Sequence, residues 1–518
     1  MIPRIVNNHI VFTTPDAARL QAFFPDVKQG TLGGESVYAV PASLDAARIL
    51  RNLGIESPSP IRTEYDWPIR PDWKPRESQI TTAEFFTLNP RGHCHSSMRV
   101  GKTMAALWAI DYLQKAGFIN KALIIGPLSS LELAWADNIF INMPRKRYVV
   151  LHGAAETRRK LLAQDADIYI INHDGIAVMY DDLAKRKDIN CVVLDEAHEY
   201  KNTTTKKWKI LNKLLQGLPS NSWLWGLTGT PTPQAVTDAY GQAKLIRPEM
   251  CKMSFTSFKQ ETMRQLGPFK WIPRNGAEET VKRVLSPSIR FERSEVTDIE
   301  PCLIERHAEL SPQQKKHVAD LLRSSATEID GSSVTAVNAA ALVSKVTQAC
   351  CGVIYGANGE FLRIDFGPRL EVLEELIEGN MPDKCLVFVP FTGALNAIAA
   401  ELKKKWTVAV VDGSVGSSKR NQIFRDFQST PNPHVIVAHP QTMSYSLTLT
   451  AASLVIWYAP PAGGNKIYQQ ACARIDGSDQ KSKIDIAHIS SCKIERNAFS
   501  VVQGKARYQD IVLDLIKG

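Results

Sequence analysis

The chain has 518 residues, of which 44% are hydrophobic and 22% charged, a balance typical of a soluble globular protein. This length predicts roughly two to four folding units rather than one. No run approaches about 18 uncharged apolar residues, which argues against a membrane-spanning helix. The start, Met1-Ile2-Pro3-Arg4, lacks the apolar core of a signal peptide. We therefore expect no association with a membrane.

Cysteine usage indicates a reducing compartment. The nine cysteines include no CxxC pair, so we expect free thiols and a cytoplasmic protein. His93-Cys94-His95 is suggestive of zinc ligands, but no second cluster completes a tetrahedral set. We therefore expect no zinc site.

Positive charge is concentrated in one segment. The formal net charge is +9, and residues 201–290 contain 15 Lys or Arg against 5 Asp or Glu. Such an excess is either an ordinary solvated face or a surface that follows nucleic-acid phosphates, because neutralising the phosphate backbone drives that kind of binding.

Residues 1–65 are predicted to form a small α+β accessory domain. His9–Phe12 and Ser36–Val40 have the pattern of short strands, and Leu44–Arg51 that of an amphipathic helix ending at Gly54. A proline-rich linker follows.

Two clusters of short apolar runs separated by helical stretches come next. The first cluster comprises Ala122–Ile125, Tyr148–Leu151, Ile168–Ile171, Cys191–Leu194 and Trp223–Leu227. The second comprises Cys385–Val389, Val408–Val411, Val435–Ala438, Leu454–Tyr458 and Ile484–Ala487. Runs of this kind are strands buried on both faces, so we predict two α/β domains with parallel sheets flanked by helices.

The domain boundaries follow from these clusters. We place the first α/β domain at 66–295, with a basic, helical insertion at about 245–290. The second covers 296–518, with a helical segment at about 311–355. Residues 240–365 lack an apolar strand-like run and are predicted to be mainly helical.

A candidate phosphate-binding loop ends in the triplet GKT, within the run Met98-Arg99-Val100-Gly101-Lys102-Thr103. Gly101 would let the backbone approach phosphate, Lys102 would reach the β- and γ-phosphates, and the Thr103 hydroxyl would hold Mg²⁺. The first glycine of the general motif is absent, since Ser96 stands in its place.

Two further motifs follow apolar strands. The first ends in Asp195-Glu196-Ala197-His198, where Asp195 is a candidate Mg²⁺ ligand, Glu196 would position the attacking water, and His198 is a candidate for coupling the site to the other domain. In the second, Gly226–Pro231, the hydroxyls of Thr228 and Thr230 are candidates for sensing the γ-phosphate and relaying its state to DNA.

In this order, the motifs resemble helicase superfamily two and, within it, the Swi/Snf-type DNA translocases, over residues of about 70 to 515. Lys201-Asn202, after the acidic motif, is favoured in that branch. The resemblance implies two RecA-like lobes that hydrolyse ATP with Mg²⁺ in the cleft between them and act on duplex or forked DNA. The compact form resembles members encoded by bacteriophages, which would place the protein in the host cell cytoplasm.

The resemblance also implies roles for individual residues. Arg76 and Gln79 correspond to the adenine-recognition motif, and the segment of Pro127 and Trp135 to one that contacts a DNA strand. In the second lobe, Thr448 and Gln470 correspond to positions that link DNA to the nucleotide, and Arg474 to a charge-neutralising arginine.

Two departures leave the rate of hydrolysis open. Arg99 replaces a small residue near the phosphates, and Gly477 stands where the family has its usual arginine finger, so Arg474, Lys481 or Lys483 would have to substitute. The sequence therefore supports two hypotheses. One is a DNA-stimulated ATPase that remodels forks or protein–DNA complexes; the other is an ATP- and DNA-binding platform with weak hydrolysis that acts through a protein partner.

Overall fold

The computed structural model describes residues 3–502 except 33, 70–73, 99, 268–269, 297–300, 330–335, 357–359, 444–448, 462–464, 473, 476–483 and 501. The described residues form two compact units. The first extends to Val296, and the second follows it along the chain.

The first unit begins with a small antiparallel sheet of strand order β1-β2-β4-β3. The Ser43 hydroxyl accepts a hydrogen bond from the Ala46 amide and so caps the second helix, which buries Leu44 and Leu50 in the same core as Phe12. The two strands and the helix predicted in this segment are confirmed. Its elements are β1 (Arg4–Val6), β2 (His9–Phe12), α1 (Ala17–Phe23), β3 (Lys28–Leu32), β4 (Glu35–Pro41), α2 (Leu44–Asn52) and α3 (Ile61–Glu64).

A seven-stranded parallel sheet of order β13-β5-β10-β9-β6-β8-β7 forms the main part of the first unit. Its elements, with a short hairpin (β11, β12), are α4 (Glu77–Leu88), β5 (Arg91–Cys94), α5 (Lys102–Lys115), β6 (Lys121–Gly126), α6 (Asp137–Asn142), β7 (Tyr148–Val150), α7 (Ala155–Leu162), β8 (Ile168–Asn172), α8 (Gly175–Ala184), β9 (Ile189–Asp195), α9 (Lys206–Gln216), β10 (Trp223–Leu227), α10 (Ala239–Ile246), α11 (Phe255–Thr262), β11 (Met263–Gly267), β12 (Lys270–Pro273), α12 (Ala277–Val284) and β13 (Ser288–Ile289).

Both faces of this sheet are covered, which explains its uninterrupted apolar strands. Along β6, Ala122 and Ile124 belong to one hydrophobic core, whereas Leu123 and Ile125 belong to a second core. Because successive side chains of a strand point to opposite faces, a strand between two cores needs an apolar residue at every position.

Residues 236–285, here called the basic insertion, have a hydrophobic core of their own that includes Phe258 and Val281. The segment is mainly helical, as expected, but β11 and β12 pair as an antiparallel hairpin between its helices. Strand β11 exposes most of its residues, including Arg264. A solvated hairpin of this kind has no continuous apolar run by which the sequence would reveal it.

The second unit contains a six-stranded parallel sheet of order β14-β21-β20-β17-β19-β18. Its elements, with a small hairpin (β15, β16), are β14 (Cys302–His307), α13 (Pro312–Ile329), α14 (Ala336–Cys350), β15 (Val353–Tyr355), β16 (Phe361–Arg363), α15 (Gly367–Gly379), β17 (Lys384–Phe388), α16 (Thr392–Leu402), β18 (Val408–Val411), α17 (Ser417–Ser429), β19 (Val435–Ala438), β20 (Ala452–Trp457), α18 (Asn465–Cys472) and β21 (Asp485–Ser490).

Strand β14 is a second exception to the helical expectation for residues 240–365. It lies at the edge of its sheet, and its side chains alternate between partly buried and exposed. The last three residues of Cys302–His307 are Glu, Arg and His, so the strand lacks the apolar run of a central strand.

The fold class is confirmed, since each unit has a parallel sheet flanked by helices in the RecA-like manner. A small α+β segment precedes the parallel sheet of the first unit. Within the part of the chain that the structure describes, no helix combines the length and apolar character needed to cross a bilayer.

A buried ion pair joins several segments of the second unit. The Arg369 guanidinium on α15 is fully buried and lies 3.0 Å from the Glu495 carboxylate, which is also fully buried. It donates further hydrogen bonds to the backbone carbonyls of Tyr458 (2.9 Å) and Ile489 (2.8 Å), which follow or end strands β20 and β21. One side chain therefore fixes the helix α15 to the carboxyl ends of two strands.

We expect Arg369→Leu to destabilise the second unit by about 3–5 kcal/mol, because it leaves the Glu495 charge buried without a partner. Arg306→Leu is the matched control, since Arg306 forms its ion pair with Glu375 at the surface, and such a pair contributes about 0–1 kcal/mol. Urea unfolding of the full chain measures both. Equal losses in the two variants would contradict the role given to the buried pair.

Candidate nucleotide-binding site

Three neighbouring strands of the first unit end in register at one edge of the sheet. Leu227, the last residue of β10, is paired with Cys94 at the end of β5 on one side and with Asp195 at the end of β9 on the other. The phosphate-loop candidate, the acidic motif and the threonine motif therefore begin side by side. In parallel sheets this edge is where ligands bind.

Two residues of the phosphate-loop candidate, Ser96 and Ser97, hold the Lys102 ammonium. Nζ of Lys102 donates hydrogen bonds to the backbone carbonyls of Ser96 (2.8 Å) and Ser97 (3.0 Å). Helix α5 begins at Lys102 itself, so its first amides and the ammonium face the same loop. A helix start with a lysine is suited to an anion such as a triphosphate.

Gly101 is required at this position on two grounds. Its φ is +93°, a left-handed conformation that side chains rarely adopt, and a Cβ there would lie 2.1 Å from Nε2 of Gln79. The carboxamide of Gln79 thus lies directly against the loop, while its oxygen accepts a hydrogen bond from the Arg76 amide (3.0 Å) and caps helix α4. Whether Gln79 and Arg76 recognise adenine stays a prediction.

Asp195 is held by groups from three segments. Its Oδ2 accepts a hydrogen bond from the Trp135 indole (2.9 Å), and its Oδ1 accepts one from the Glu196 amide (3.1 Å). Gly126 makes room for it, because a Cβ at that residue would lie 3.3 Å from the Asp195 Cβ. Burial raises the pKa of the Asp195 carboxyl, the Glu196 charge raises it further, and Trp135 and the Lys102 ammonium act in the opposite direction.

Trp135 contributes to the site from within the protein. Its side chain is fully buried and donates to Asp195, so it orients a carboxylate of the site. The assignment of its segment to a contact with a DNA strand stays a prediction. Pro127, in the same segment, is buried, and its carbonyl accepts hydrogen bonds from the Ser130 amide and hydroxyl.

A polar relay connects the acidic motif to the threonine motif. Nδ1 of His198 lies 3.2 Å from Oε2 of Glu196 and 2.8 Å from the Thr228 hydroxyl. The Thr228 hydroxyl in turn accepts a hydrogen bond from the Thr230 amide (3.1 Å). Thr228, Thr230 and His198 are all buried, which suits coupling between segments rather than direct contact with DNA.

Glu196 has an unusual backbone. Its φ is +54° and its ψ +50°, the left-handed region that is uncommon for residues other than glycine. Such conformations are found where a site requires a side chain to point in one direction. Here the conformation follows immediately after the end of β9 and directs the Glu196 carboxylate toward His198.

The segment after the basic insertion forms hydrogen bonds with the phosphate-loop candidate. The backbone amides of His95 and Ser97 donate to the carbonyls of Ile289 (2.8 Å) and Phe291 (2.9 Å), and the Phe291 amide donates to the Ser96 hydroxyl (3.0 Å). The Ser97 hydroxyl donates to the Glu292 carboxylate (2.9 Å). The sequence did not predict these hydrogen bonds, because they join residues 195 positions apart in the chain or nearly so, and most of them involve backbone atoms.

The structure brings most of the predicted residues of the first unit to one place. These are Gln79, Met98, Val100, Gly101, Lys102, Thr103, Asp195, Glu196, His198, Thr228 and Thr230, all at or next to the sheet edge. A Cβ on Gly229 would lie 3.4 Å from the Met98 amide and 3.5 Å from the Ser96 carbonyl, so the threonine motif touches the loop.

Other predicted residues belong to the second unit or to undescribed positions. Gln470 on α18 and Arg474 just after it are buried within the second unit, and the Arg474 carbonyl accepts a hydrogen bond from the Leu449 amide (2.8 Å). Arg99, Thr448, Gly477, Lys481 and Lys483 lie outside the described residues.

The donor set fits Mg²⁺. Asp195 and Thr103 offer the oxygen ligands that this ion prefers. A carboxylate whose pKa is raised by desolvation and by a second carboxylate is stabilised by a cation beside it, so the charge arrangement at Asp195 and Glu196 also suits the ion.

Comparison with known proteins agrees with this geometry. Residues 94–301 match the SNF2-related domain, and residues 368–476 match the helicase conserved C-terminal domain, so the two matches cover more than half of the chain. The protein is thus an ATP-hydrolysing enzyme of the helicase type. More narrowly, the chain contains an SNF2-related domain followed by a helicase C-terminal domain.

Several relatives are similar along most of the chain. "Putative protein p41" of Acyrthosiphon pisum secondary endosymbiont phage 1 is 22% identical over 82% of this chain and 95% of its own length. The "Uncharacterized ATP-dependent helicase MG018" of Mycoplasma genitalium is 24% identical over 70% of this chain. The "SWI/SNF-related matrix-associated actin-dependent regulator of chromatin subfamily A-like protein 1" of Xenopus tropicalis is 24% identical over 76% of this chain.

Coverage differs among these relatives. The chain spans only 34% of the Mycoplasma protein and 40% of the Xenopus protein. Among solved structures, the Sulfolobus solfataricus SWI2/SNF2 ATPase core in complex with dsDNA is 22% identical, with a TM-score of 0.39, over 86% of this chain and 94% of that one.

We expect Trp135→Phe to lower kcat for ATP roughly tenfold or more, because a hydrogen bond to a charged group contributes about 1.5–3 kcal/mol. The control is Trp225→Phe, which also removes a buried indole hydrogen bond, in this case to the Asn89 carbonyl. Steady-state phosphate release and thermal unfolding are measured for both. A similar loss of kcat in both variants would show that Trp135 acts only through stability.

Proposed function

We propose that the protein is a motor that uses ATP to move along double-stranded DNA and hydrolyses ATP faster when DNA is bound. The observation that carries this proposal is the in-register ending of β5, β10 and β9, which gathers Lys102, Asp195 and Thr228 at one edge. A lysine at a helix start beside a partly buried acidic pair is the arrangement that hydrolysis of a nucleoside triphosphate requires.

The residues have separate tasks in this proposal. Lys102 and the first amides of α5 bind the β- and γ-phosphates, and Glu196 orients a water molecule for in-line attack on the γ-phosphorus. The bond from that phosphorus to the bridging oxygen breaks, which yields ADP and inorganic phosphate. Asp195 and Thr103 would hold Mg²⁺, which supplies positive charge to the phosphate oxygens. Arg474 is proposed to neutralise the charge that develops on the transferred group.

Nucleotide state reaches the rest of the first unit through the buried relay. Glu196 contacts His198, His198 contacts Thr228, and the Thr228 hydroxyl holds the Thr230 amide. A shift of the Glu196 carboxylate on phosphate release therefore alters the bonding of the segment that leads to the basic insertion.

The basic insertion is proposed to contact the DNA backbone. Lys252, Arg264 and Arg283 are exposed on the insertion. Lys206 and Lys209 are exposed on helix α9, which comes before the insertion in the chain. Cations spread over such a surface bind phosphates without reading bases, which suits a protein that moves along DNA of any sequence. Remodelling of forks or of protein–DNA complexes is the further part of this proposal.

The decisive measurement is the ATPase rate with no nucleic acid, single strands, duplex, forks and RNA. We expect duplex or forked DNA to raise kcat at least tenfold, and expect Lys102→Ala and Glu196→Gln to abolish the stimulated rate. Lys160→Ala and Glu156→Gln are matched controls, because these residues form an exposed ion pair on α7.

The same assay separates the two hypotheses drawn from the sequence. A basal rate that no nucleic acid changes would contradict a DNA-driven motor. Combined with tight ATP and DNA binding, that result would favour a platform that acts through a protein partner.

We also expect a Lys252→Ala/Arg264→Ala variant to bind duplex DNA with a weaker dependence on salt. Two lost phosphate contacts make the slope of log affinity against log salt shallower by about 1.8. The control, Lys160→Ala/Lys403→Ala, removes two exposed lysines outside the insertion. Fluorescence anisotropy at several salt concentrations gives both slopes, and an unchanged slope in the first variant would remove the insertion from the DNA-binding surface.

A further inference from the structure

Two cysteines of the second unit lie close together although they are far apart in the chain. Cys350 is the last residue of helix α14, and Cys492 follows strand β21. Their sulfur atoms and a carboxylate oxygen of Glu495 all lie within 4.8 Å of one another. Cys350 is fully buried, whereas Cys492 is a partly exposed residue that packs against the hydrophobic cluster containing Cys350.

The contact between the two thiols makes them chemically unequal. Cys350 donates its thiol hydrogen to the Cys492 sulfur, which lowers the pKa of Cys492 to about 7 and raises that of Cys350. A thiolate is the reactive form of cysteine, and an accessible thiolate beside a second thiol is the arrangement found in redox-active pairs.

The neighbouring carboxylate is already used, which disfavours a metal ion at this cluster. Both oxygens of Glu495 accept hydrogen bonds from Arg369, at 3.1 and 3.0 Å, and Oε2 also accepts one from the Ser491 amide at 2.7 Å. A cation at the two sulfurs would lie near the fixed positive charge of Arg369. The cluster therefore offers two thiols rather than three free ligands.

We propose that Cys350 and Cys492 form a redox-active dithiol that hydroperoxides convert into a disulfide. The Cys492 sulfur attacks one peroxide oxygen, the O–O bond breaks, and the product is a sulfenic acid and water. The Cys350 sulfur then attacks the Cys492 sulfur, the S–O bond breaks, and a second water leaves with the Cys350 proton. Two thiols are oxidised and one hydrogen peroxide is reduced to two waters.

The disulfide would act on a structurally central part of the second unit. The Cys350 carbonyl accepts hydrogen bonds from the Gln314 amide group (2.9 Å) and from Arg369 (3.4 Å), so helices α13, α14 and α15 meet beside the thiol pair. A covalent link from α14 to the segment after β21 closes a long loop of chain and so restricts the unfolded state. We expect the oxidised second unit to resist unfolding more than the reduced one.

The test uses the reduced full chain and hydrogen peroxide as the probe. We expect one equivalent to lower the count of titratable thiols by two, from the nine free cysteines, and expect peptide mapping to find a Cys350–Cys492 link that dithiothreitol reverses. The matched control is Cys302→Ser, since Cys302 is also partly exposed and should leave the loss of two thiols intact. A link between other cysteines would overturn the proposal.

Two further measurements follow, and the first of them needs no variant. In the unmodified chain, limiting iodoacetamide at neutral pH should alkylate Cys492 before Cys302, and the reverse order contradicts the proposal. Cys350→Ala should leave a Cys492 sulfenic acid that dimedone traps, and a variant without that adduct also counts against it. Stoichiometric zinc bound by the reduced chain, and lost in Cys492→Ser, would show that the cluster is a metal site instead.

Discussion

The arrangement of the candidate site depends on the register of three parallel strands. Because Leu227 is paired with both Cys94 and Asp195, the three following segments leave the sheet at the same level. A shift of one residue in β9 would move Asp195 to the other face of the sheet, since side chains alternate along a strand. The two buried cores on either side of the sheet prevent such a shift, so the hydrophobic packing sets the position of the polar groups.

The polar groups at this edge also stabilise one another. An acidic pair with little solvent is unfavourable by itself, which is why burial and Glu196 raise the pKa of Asp195. The Trp135 indole and the Lys102 ammonium offset part of this cost, and Lys102 is in turn held by loop carbonyls. A bound triphosphate would take the place of the loop carbonyls at Lys102, and its cation would lie beside the acidic pair. The protein without ligand therefore already has the charges that the triphosphate and its cation need.

Sequence patterns predicted the parts of the molecule that carry repeated or adjacent signals. Most central strands were recognisable because both faces are buried, and the acidic motif because it follows such a strand. The GKT triplet was recognisable only from its own residues, because the strand before it, β5, has the sequence Arg-Gly-His-Cys and no apolar run. The edge strand β14 and the hairpin β11–β12 were missed, since polar and charged residues interrupt their apolar ones. The Trp135 hydrogen bond and the left-handed Glu196 depend on tertiary packing, and nothing in the local sequence reports either.

The path of the basic insertion connects the charged surface to the phosphate-loop candidate. The insertion begins after β10 and ends before β13, and these two strands are the neighbours of β5 on its two sides. The strand that leads into the loop therefore lies between the two attachment points of the insertion. Backbone bonds from residues 93–97 to residues 287–291 extend this contact along the loop itself. A force on the insertion would reach the loop through strand pairing on both sides. If the insertion contacts DNA, as proposed, this path would link that contact to the nucleotide site.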